Sequence, residues 1–273
     1  MAIKLGSSGI SKLYLGSTEA TKAYLGSVEV YSAVVANPFT FSVNTANAGT
    51  LSTQFQLPLV SSGAISMDVD WGDGTTDTIT AYNQAETLHT YSTSGTYTIS
   101  ITNEVRGFKF ANGGDKKKIL DISNWGEFNF DSNQGFNGCT SLTCSATDIP
   151  TISAPDWSWT FGSCPNFNGV VAGWDVSGVV NMYTLFYSAT SFNQDLSSWD
   201  INQVTNFSYI LFNTGLSTAN YDSILVSWEA QAPQLNQIPQ FGNAKYTLGS
   251  AAATARASLI NTYGWTITDG GGI

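Results

Sequence analysis

Charge is scarce in this chain. Only 11% of its 273 residues are Asp, Glu, Lys or Arg, less than half the ~25% of an ordinary soluble domain. Hydration of the surface must therefore fall to Ser, Thr, Asn and Gly, a composition that suits turns and exposed strand faces. Histidine is nearly absent: His89 is the single copy, which excludes a His-rich metal site and leaves a Ser/His/Asp triad only one possible base, with no nucleophile motif beside it. The three cysteines, Cys139, Cys144 and Cys164, cannot all pair within one chain and have no CxxC or Cys/His metal spacing, so buried core positions are expected for them. No run approaches the ~20 apolar residues of a membrane span, so no membrane insertion is expected. The opening Met1-Ala2-Ile3-Lys4-Leu5-Gly6 lacks the charged and apolar regions of a signal peptide. The expectation is a protein whose leader has been removed or one that leaves the cell without a leader.

What charge there is lies unevenly. The net charge is −10, and residues 119–273 hold 2 basic and 11 acidic side chains. That half repels phosphate backbones and anionic headgroups, and nucleic acid is not an expected partner. The run Lys116-Lys117-Lys118 is the one basic cluster, and it reads as a solvated edge.

Apolar material is plentiful, with 8 Trp, 12 Tyr and 15 Phe, and it is periodic. In the first 31 residues a ten-residue unit recurs: Ile3-Lys4-Leu5-Gly6-Ser7, Leu13-Tyr14-Leu15-Gly16-Ser17 and Ala23-Tyr24-Leu25-Gly26-Ser27. Each unit reads as one strand and one turn. Three such strands bury too little to fold alone, so this segment is expected to dock on the rest of the chain, a second copy or a larger assembly. Leu5, Tyr14, Leu15, Tyr24 and Leu25 are its candidate anchoring residues. Residues ~38–110 alternate apolar and polar, as in Phe39-Thr40-Phe41-Ser42-Val43 and Tyr97-Thr98-Ile99-Ser100-Ile101, which predicts strands. From about residue 119 a longer period begins. Phe136, Phe161, Phe186 and Phe212 stand 25, 25 and 26 residues apart, and Trp174-Asp175-Val176 aligns with Trp199-Asp200-Ile201. A period near 25 with one aromatic and one small position per unit predicts a solenoid, whose open end needs a cap. Tyr221, Ile224, Leu225 and Trp228 fall on one helical face, and Ala255, Leu259, Ile260 and Tyr263 on another. Trp265-Thr266-Ile267-Thr268 reads as a final strand.

Three resemblances rest on these residues. Val69-Asp70-Trp71-Gly72-Asp73-Gly74-Thr75, followed by His89-Thr90-Tyr91 and Gly95-Thr96-Tyr97-Thr98-Ile99, resembles the PKD family of immunoglobulin-like sandwiches, which implies a spacer or recognition module. Phe192-Asn193-Gln194-Asp195-Leu196-Ser197-Ser198-Trp199-Asp200 resembles the BspA-like leucine-rich surface-protein repeats of bacteria and some of their phages, with Trp, Phe, Val and Cys where those repeats carry leucine. The YLGS-type decapeptides resemble segments of phage structural proteins. The fold class expected is mainly β: an N-terminal decapeptide anchor (1–34), an immunoglobulin-like β-sandwich (35–114), a leucine-rich-repeat-like solenoid (115–217) and a small α/β cap (218–273).

Chemistry is weighed against structure at each candidate residue. His89 sits inside a strand signature, and a structural role is expected. Asp68, Asp70, Asp73 and Asp77 could together attract calcium, but they alternate along a strand, and turn or strand-face roles are expected instead. Asp175 and Asp200 read as solvent-facing turn residues, because a catalytic carboxylate pair does not need one copy per repeat. No catalytic residue, metal ligand or cofactor is expected, and the chain is read as a binding protein, not an enzyme. The resemblances imply a virion-surface protein, with a bacterial cell-surface adhesin or glycan-binding module as the alternative. Expected partners are other virion proteins or further copies of the chain through residues 1–31, giving a homo-oligomer, and a host-surface glycan or protein.

Overall fold

The computed structural model describes residues 14–15, 18–19, 22–25, 28–32, 37–63 and 65–273. It divides into two compact units, Met1–Asn37 and Pro38–Ile273.

In the first unit β1 (Tyr14–Leu15) pairs antiparallel with β2 (Thr18–Glu19), and β3 (Lys22–Leu25) with β4 (Val28–Ser32). The innermost pairs are Leu15↔Thr18 and Leu25↔Val28, so two residues, Gly-Ser in both cases, separate the paired strands. A two-residue Gly-X connection is a hairpin signature. The Gly-Ser residues themselves, and the first decapeptide, lie outside the described residues.

The second unit opens with a sheet. β5 (Phe39–Asn44), β7 (Met67–Asp70), β8 (Thr76–Ile79), β10 (Thr96–Thr102), β11 (Ile119–Asn124) and β13 (Thr143–Cys144) form six strands in the order β13-β11-β5-β10-β7-β8. A separate antiparallel pair, β6 (Gln54–Gln56) with β9 (Leu88–Thr90), places Phe55 opposite His89, and a short parallel pair joins β12 (Asn129–Phe130) to β14 (Thr151–Ile152). Alternation decides which face is covered: Phe39, Phe41 and Val43 on β5 are wholly buried, as are Ile99 and Ile101 on β10, while Asp68 and Asp70 on β7 point to solvent.

No linker follows residue 114. β11 lies inside the sheet, antiparallel to β5 and parallel to β13, which belongs to the repeat region. Repeat-type bonding also begins earlier than residue 115: Phe110 N–H donates to Gly135 O and Asn112 N–H to Asn137 O. Sheet and repeats therefore share one continuous core. A hydrophobic period shows where core columns start, but backbone bonds to the next unit need no side-chain signature, so this overlap leaves no mark in the sequence.

The repeats stack through backbone bonds that skip 24 residues. Trp157, Trp159, Phe161 and Ser163 donate to the carbonyls of Asn181, Tyr183, Leu185 and Tyr187, and Met182, Thr184, Phe186 and Ser188 donate to Asn206, Ser208, Ile210 and Phe212. Inside, Phe136, Phe161 and Phe186 form a column of parallel rings with centroids 5.7 and 5.8 Å apart, and Phe167 and Phe192 form a second at 6.3 Å. The next residue of the first column is Leu211, fully buried, and not Phe212. The expected spacing of 26 was a shift of one residue: Phe212 turns outward and stacks on Tyr187 at 5.5 Å.

The tail closes this stack. α1 (Thr218–Ala230) is N-capped by Ser217 and buries Tyr221, Ile224, Leu225 and Trp228, with the Trp228 indole donating to Leu196 O at 3.1 Å. α2 (Ala251–Asn261) is capped by Ser250 and buries Ala252, Ala255 and Leu259. Ile260 and Tyr263 are only half-buried, so its face lies one turn earlier than the sequence spacing predicts. Residues 265–268 form no strand; an isolated bridge, Gln240↔Thr268, replaces it. No helix among the described residues is long and apolar enough to cross a membrane.

Candidate binding surface

The residues that carry the WGDG and HTY signatures come together, and they hold one another in place. His89 stacks on Trp71 with centroids 4.5 Å apart and 7° between planes, meets Tyr91 edge-on, and lies 2.9 Å through Nε2 from Asp73 Oδ2. Tyr91 O–H donates to Trp71 O, and the Trp71 indole donates to Asp77 Oδ2 at 2.8 Å. Gly72, at φ 78°, approaches so closely that a Cβ would lie 2.2 Å from Thr98 O. The four aspartates do not converge. Asp68 accepts from Thr78, Asp70 from Gly72 N–H, Asp73 from Thr75 and Asp77 from Trp71. Among the described residues no group of three or more His, Cys, Asp or Glu is placed to hold a metal ion.

Burial would raise the Asp73 carboxyl, but hydrogen bonds from Thr75 and His89 outweigh it and hold it below the usual carboxylate range. A carboxyl depressed in the folded state stabilises the fold above its unfolded value near 3.9, and that stability is lost as pH falls through the lower folded value. Thermal melts between about pH 5 and pH 2 should therefore show a steeper acid loss in the wild type than in Asp73→Asn. Equal slopes would remove Asp73 from the account of acid stability.

The cysteines are free. Cys139 and Cys164 are fully buried, and desolvation pushes Cys164 up to about 12 and Cys139 well above the ordinary thiol value. The Cys164 thiol donates to Phe136 O of the preceding unit at 3.0 Å. Cys144, half-buried, is pushed up to about 12 by the same cause. Thiols held so high carry almost no thiolate, the reactive form, at neutral pH. Asp175 and Asp200 are exposed and accept backbone N–H bonds from Ser177 and Asn202, as turn residues do. Lys118 departs from the solvated-edge reading. It is fully buried, with Nζ donating to the carbonyls of Thr50, Leu51 and Gln54 and lying 3.8 Å from Asp115. A run of three lysines hides a buried member because sequence does not show that a loop 65 residues away offers carbonyls to it.

Of the candidate anchors, Tyr14 and Leu15 form β1 and Tyr24 and Leu25 end β3; Leu5 lies outside the described residues.

A surface that the periodic reading missed lies on the repeats. Residues 134, 159, 184 and 209 adopt φ between 55° and 61°, and so do 163, 188 and 213, between 57° and 59°, joined by Gly138 at 77°. Each unit thus makes two left-handed turns that swing neighbouring side chains outward. Asx turns fix the approach: Asp156 accepts from Ser158 N–H, Asn181 from Tyr183 N–H and Asn206 from Ser208 N–H, all at 3.0 Å. The outward residues are Trp159, Tyr183, Tyr187, Tyr209 and Phe212. Trp159 lies 5.7 Å from Tyr187, and Tyr209 stands edge-on to Tyr183, Tyr187 and Phe212 at 6.4, 6.4 and 5.7 Å. Five rings from three successive units form one connected strip.

Residues 115–245 match the family described as "Mycoplasma protein of unknown function, DUF285". The matched segment contains the whole aromatic strip, every repeat unit from Phe136 to Phe212, and α1. No curated protein and no solved structure matches the chain.

Proposed function

We propose that this protein is a surface-display binding protein without catalytic activity. The repeats form a leucine-rich-repeat-like solenoid, the PKD-like sandwich of residues ~38–110 supports it, and the short hairpins of residues 1–31 attach it to an assembly. The observation that carries this reading is the aromatic strip: five rings from three successive units gathered on one side of a stacked core, outside any cleft that could gather a nucleophile and a base. The setting we propose first is a phage virion surface, supported by the resemblance of the decapeptides to phage structural proteins. A bacterial cell surface is the second reading, favoured by the match of residues 115–245 to a Mycoplasma family.

Mass spectrometry and antibody labelling of purified particles test the setting. The virion reading expects the chain on the particle exterior; its recovery from a bacterial envelope, and from no particle, replaces that reading with the second. Hairpins of two to five residues per strand close few contacts alone and leave edge N–H and C=O groups for another chain. Deleting residues 1–31 should therefore leave the thermal transition of the remainder unchanged while abolishing incorporation or self-association. A lowered transition in a protein that stays monomeric would mean that these strands complete the chain's own fold.

A further inference from the structure

We infer that Trp159, Tyr183, Tyr187, Tyr209 and Phe212 form a binding strip for a neutral carbohydrate chain, which stacks its sugar rings on the exposed aromatic faces. The inference rests on the surface-binding reading above and names its ligand class.

Tryptophan exposure singles out the strip. Seven of the eight tryptophans are at most 4% exposed, and Trp159 alone is partly exposed. Tyr209 is 40% exposed. The backbone beneath them gains nothing from these residues. A left-handed residue with a large side chain costs roughly 1–2 kcal/mol, and glycine or asparagine fills such positions more easily. The neighbouring left-handed column carries only small side chains, Gly138, Ser163, Ser188 and Asn213, whereas Trp159 and Tyr209, at φ 60° and 58°, share the other with Gln134 and Thr184. Strain kept at an exposed site points to use. Gly162 supports the same reading, since a Cβ there would stand 2.6 Å from Trp159 Cε3; the glycine leaves room for the indole to lie down against the backbone.

The polar atoms of the strip are unoccupied. The hydroxyls of Tyr91, Tyr97 and Tyr221 and the indoles of Trp71, Trp199, Trp228 and Trp265 are bonded within the fold, while the partnerless indoles of Trp125, Trp157 and Trp174 are buried in the core, out of reach of any ligand. Among the described residues nothing accepts from the hydroxyls of Tyr183, Tyr187 or Tyr209 or from the Trp159 indole N–H. Ring faces beside free donors suit a ligand that is apolar on one face and hydroxylated at its rim, which is the chemistry of a pyranose.

Charge selects among glycans. The turn segments 158–163, 183–188 and 208–213 contain no ionisable group apart from tyrosine, yet they sit on a region with 2 basic and 11 acidic residues. That field repels uronic acids, phosphates and nucleic acid. A protein partner is less well suited, because the strip offers no Arg and no deep aliphatic pocket of the kind that anchors protein interfaces.

Acrylamide quenching of tryptophan fluorescence reads Trp159 nearly alone, because the other seven indoles are buried. The probes are dextran, mannan, galactan and the neutral polysaccharide extracted from host envelopes, with polygalacturonate as the acidic control. At least one neutral polysaccharide should protect Trp159 from quenching. By calorimetry, Trp159→Asn/Tyr209→Asn should bind it at least tenfold more weakly with an unchanged or higher thermal transition, and Trp159→Phe should retain most binding. Wild-type affinity in the double variant, protection by polygalacturonate alone, or no protection by any neutral polysaccharide overturns the proposal. Attachment to intact host cells separates the two readings. If the double variant attaches like the wild type, the carbohydrate strip is wrong and surface binding stands. If the wild type binds glycan but never attaches, the strip stands and the attachment reading falls.

Discussion

Phe161→Ala should destabilise the unit formed by residues 38–273 by about 3–5 kcal/mol, lowering its thermal transition by on the order of 10 °C. The ring is fully buried between Phe136 and Phe186, both nearly parallel to it, and touches Phe167 at a centroid distance of 4.0 Å. Its removal opens a void in the middle of the column, where neighbours on both sides are held by backbone bonds to adjacent units and cannot collapse inward. Phe212→Ala provides the contrast. Although it ends the series of phenylalanines in sequence, one residue out of step, it is half-buried on the outer face, and its loss should cost about 1 kcal/mol or less. Denaturant titration of the two variants measures both numbers. Equal losses would show that Phe212, and not Leu211, continues the core column.

Lys118→Met should cost about 3–5 kcal/mol, the usual consequence of removing one member of a buried ionic network. The methionine keeps the stem but leaves the carbonyls of Thr50, Leu51 and Gln54 without their donor. It also strands Asp115, whose carboxylate accepts from Thr50 N–H, Thr50 Oγ1 and Gln56 N–H at 2.6 to 2.8 Å. Burial lowers the Lys118 pKa, partly offset by Asp115. The folded state then binds fewer protons than the unfolded chain, so this group adds stability as pH rises from its lowered value towards the ordinary ~10.4. Chemical denaturation across alkaline pH should show that rise in the wild type and not in Lys118→Met. A loss below about 1 kcal/mol would mark the pair as equivalent to a surface ion pair and overturn its role in pinning residues 50–56.

Much of the interior was legible because burial imposes a period. Phe136, Phe161 and Phe186 announce their column at a constant spacing, and Tyr221, Ile224, Leu225 and Trp228 announce the buried face of α1. The outer strip was not legible for the opposite reason. Trp159 does not recur, since its equivalents are Gln134, the buried Thr184 and the exposed Tyr209, so no common packing demand enforces repetition there. Residue type alone does not tell a ring turned outward from one turned inward, as the one-residue slip at Phe212 demonstrates. The signal that could have found the surface is a second aromatic beside a core column: Trp159 two residues before Phe161, and Tyr187 directly after Phe186. Long-range partnerships were the other blind spot. Asp115 and Lys118 carry no motif, and only the folded chain brings the loop at residues 50–56 against them. The WGDG and HTY residues were legible as a signature, and their geometry explains why: Trp71, His89, Tyr91 and Asp73 each satisfy a neighbour, so no one of them changes without disturbing the rest.

From Gln134 to Ser188 the backbone ladder keeps one 24-residue offset, which bears on how such a chain can change in length. Duplicating or excising one whole unit between Ser163 and Ser188 would present each remaining donor with an acceptor of the same type, at the same height and in the same phase. The gene can therefore gain or lose units by recombination between repeats without a compensating change elsewhere, and every added unit brings two more outward positions. Reach and recognition would be extended by the same event.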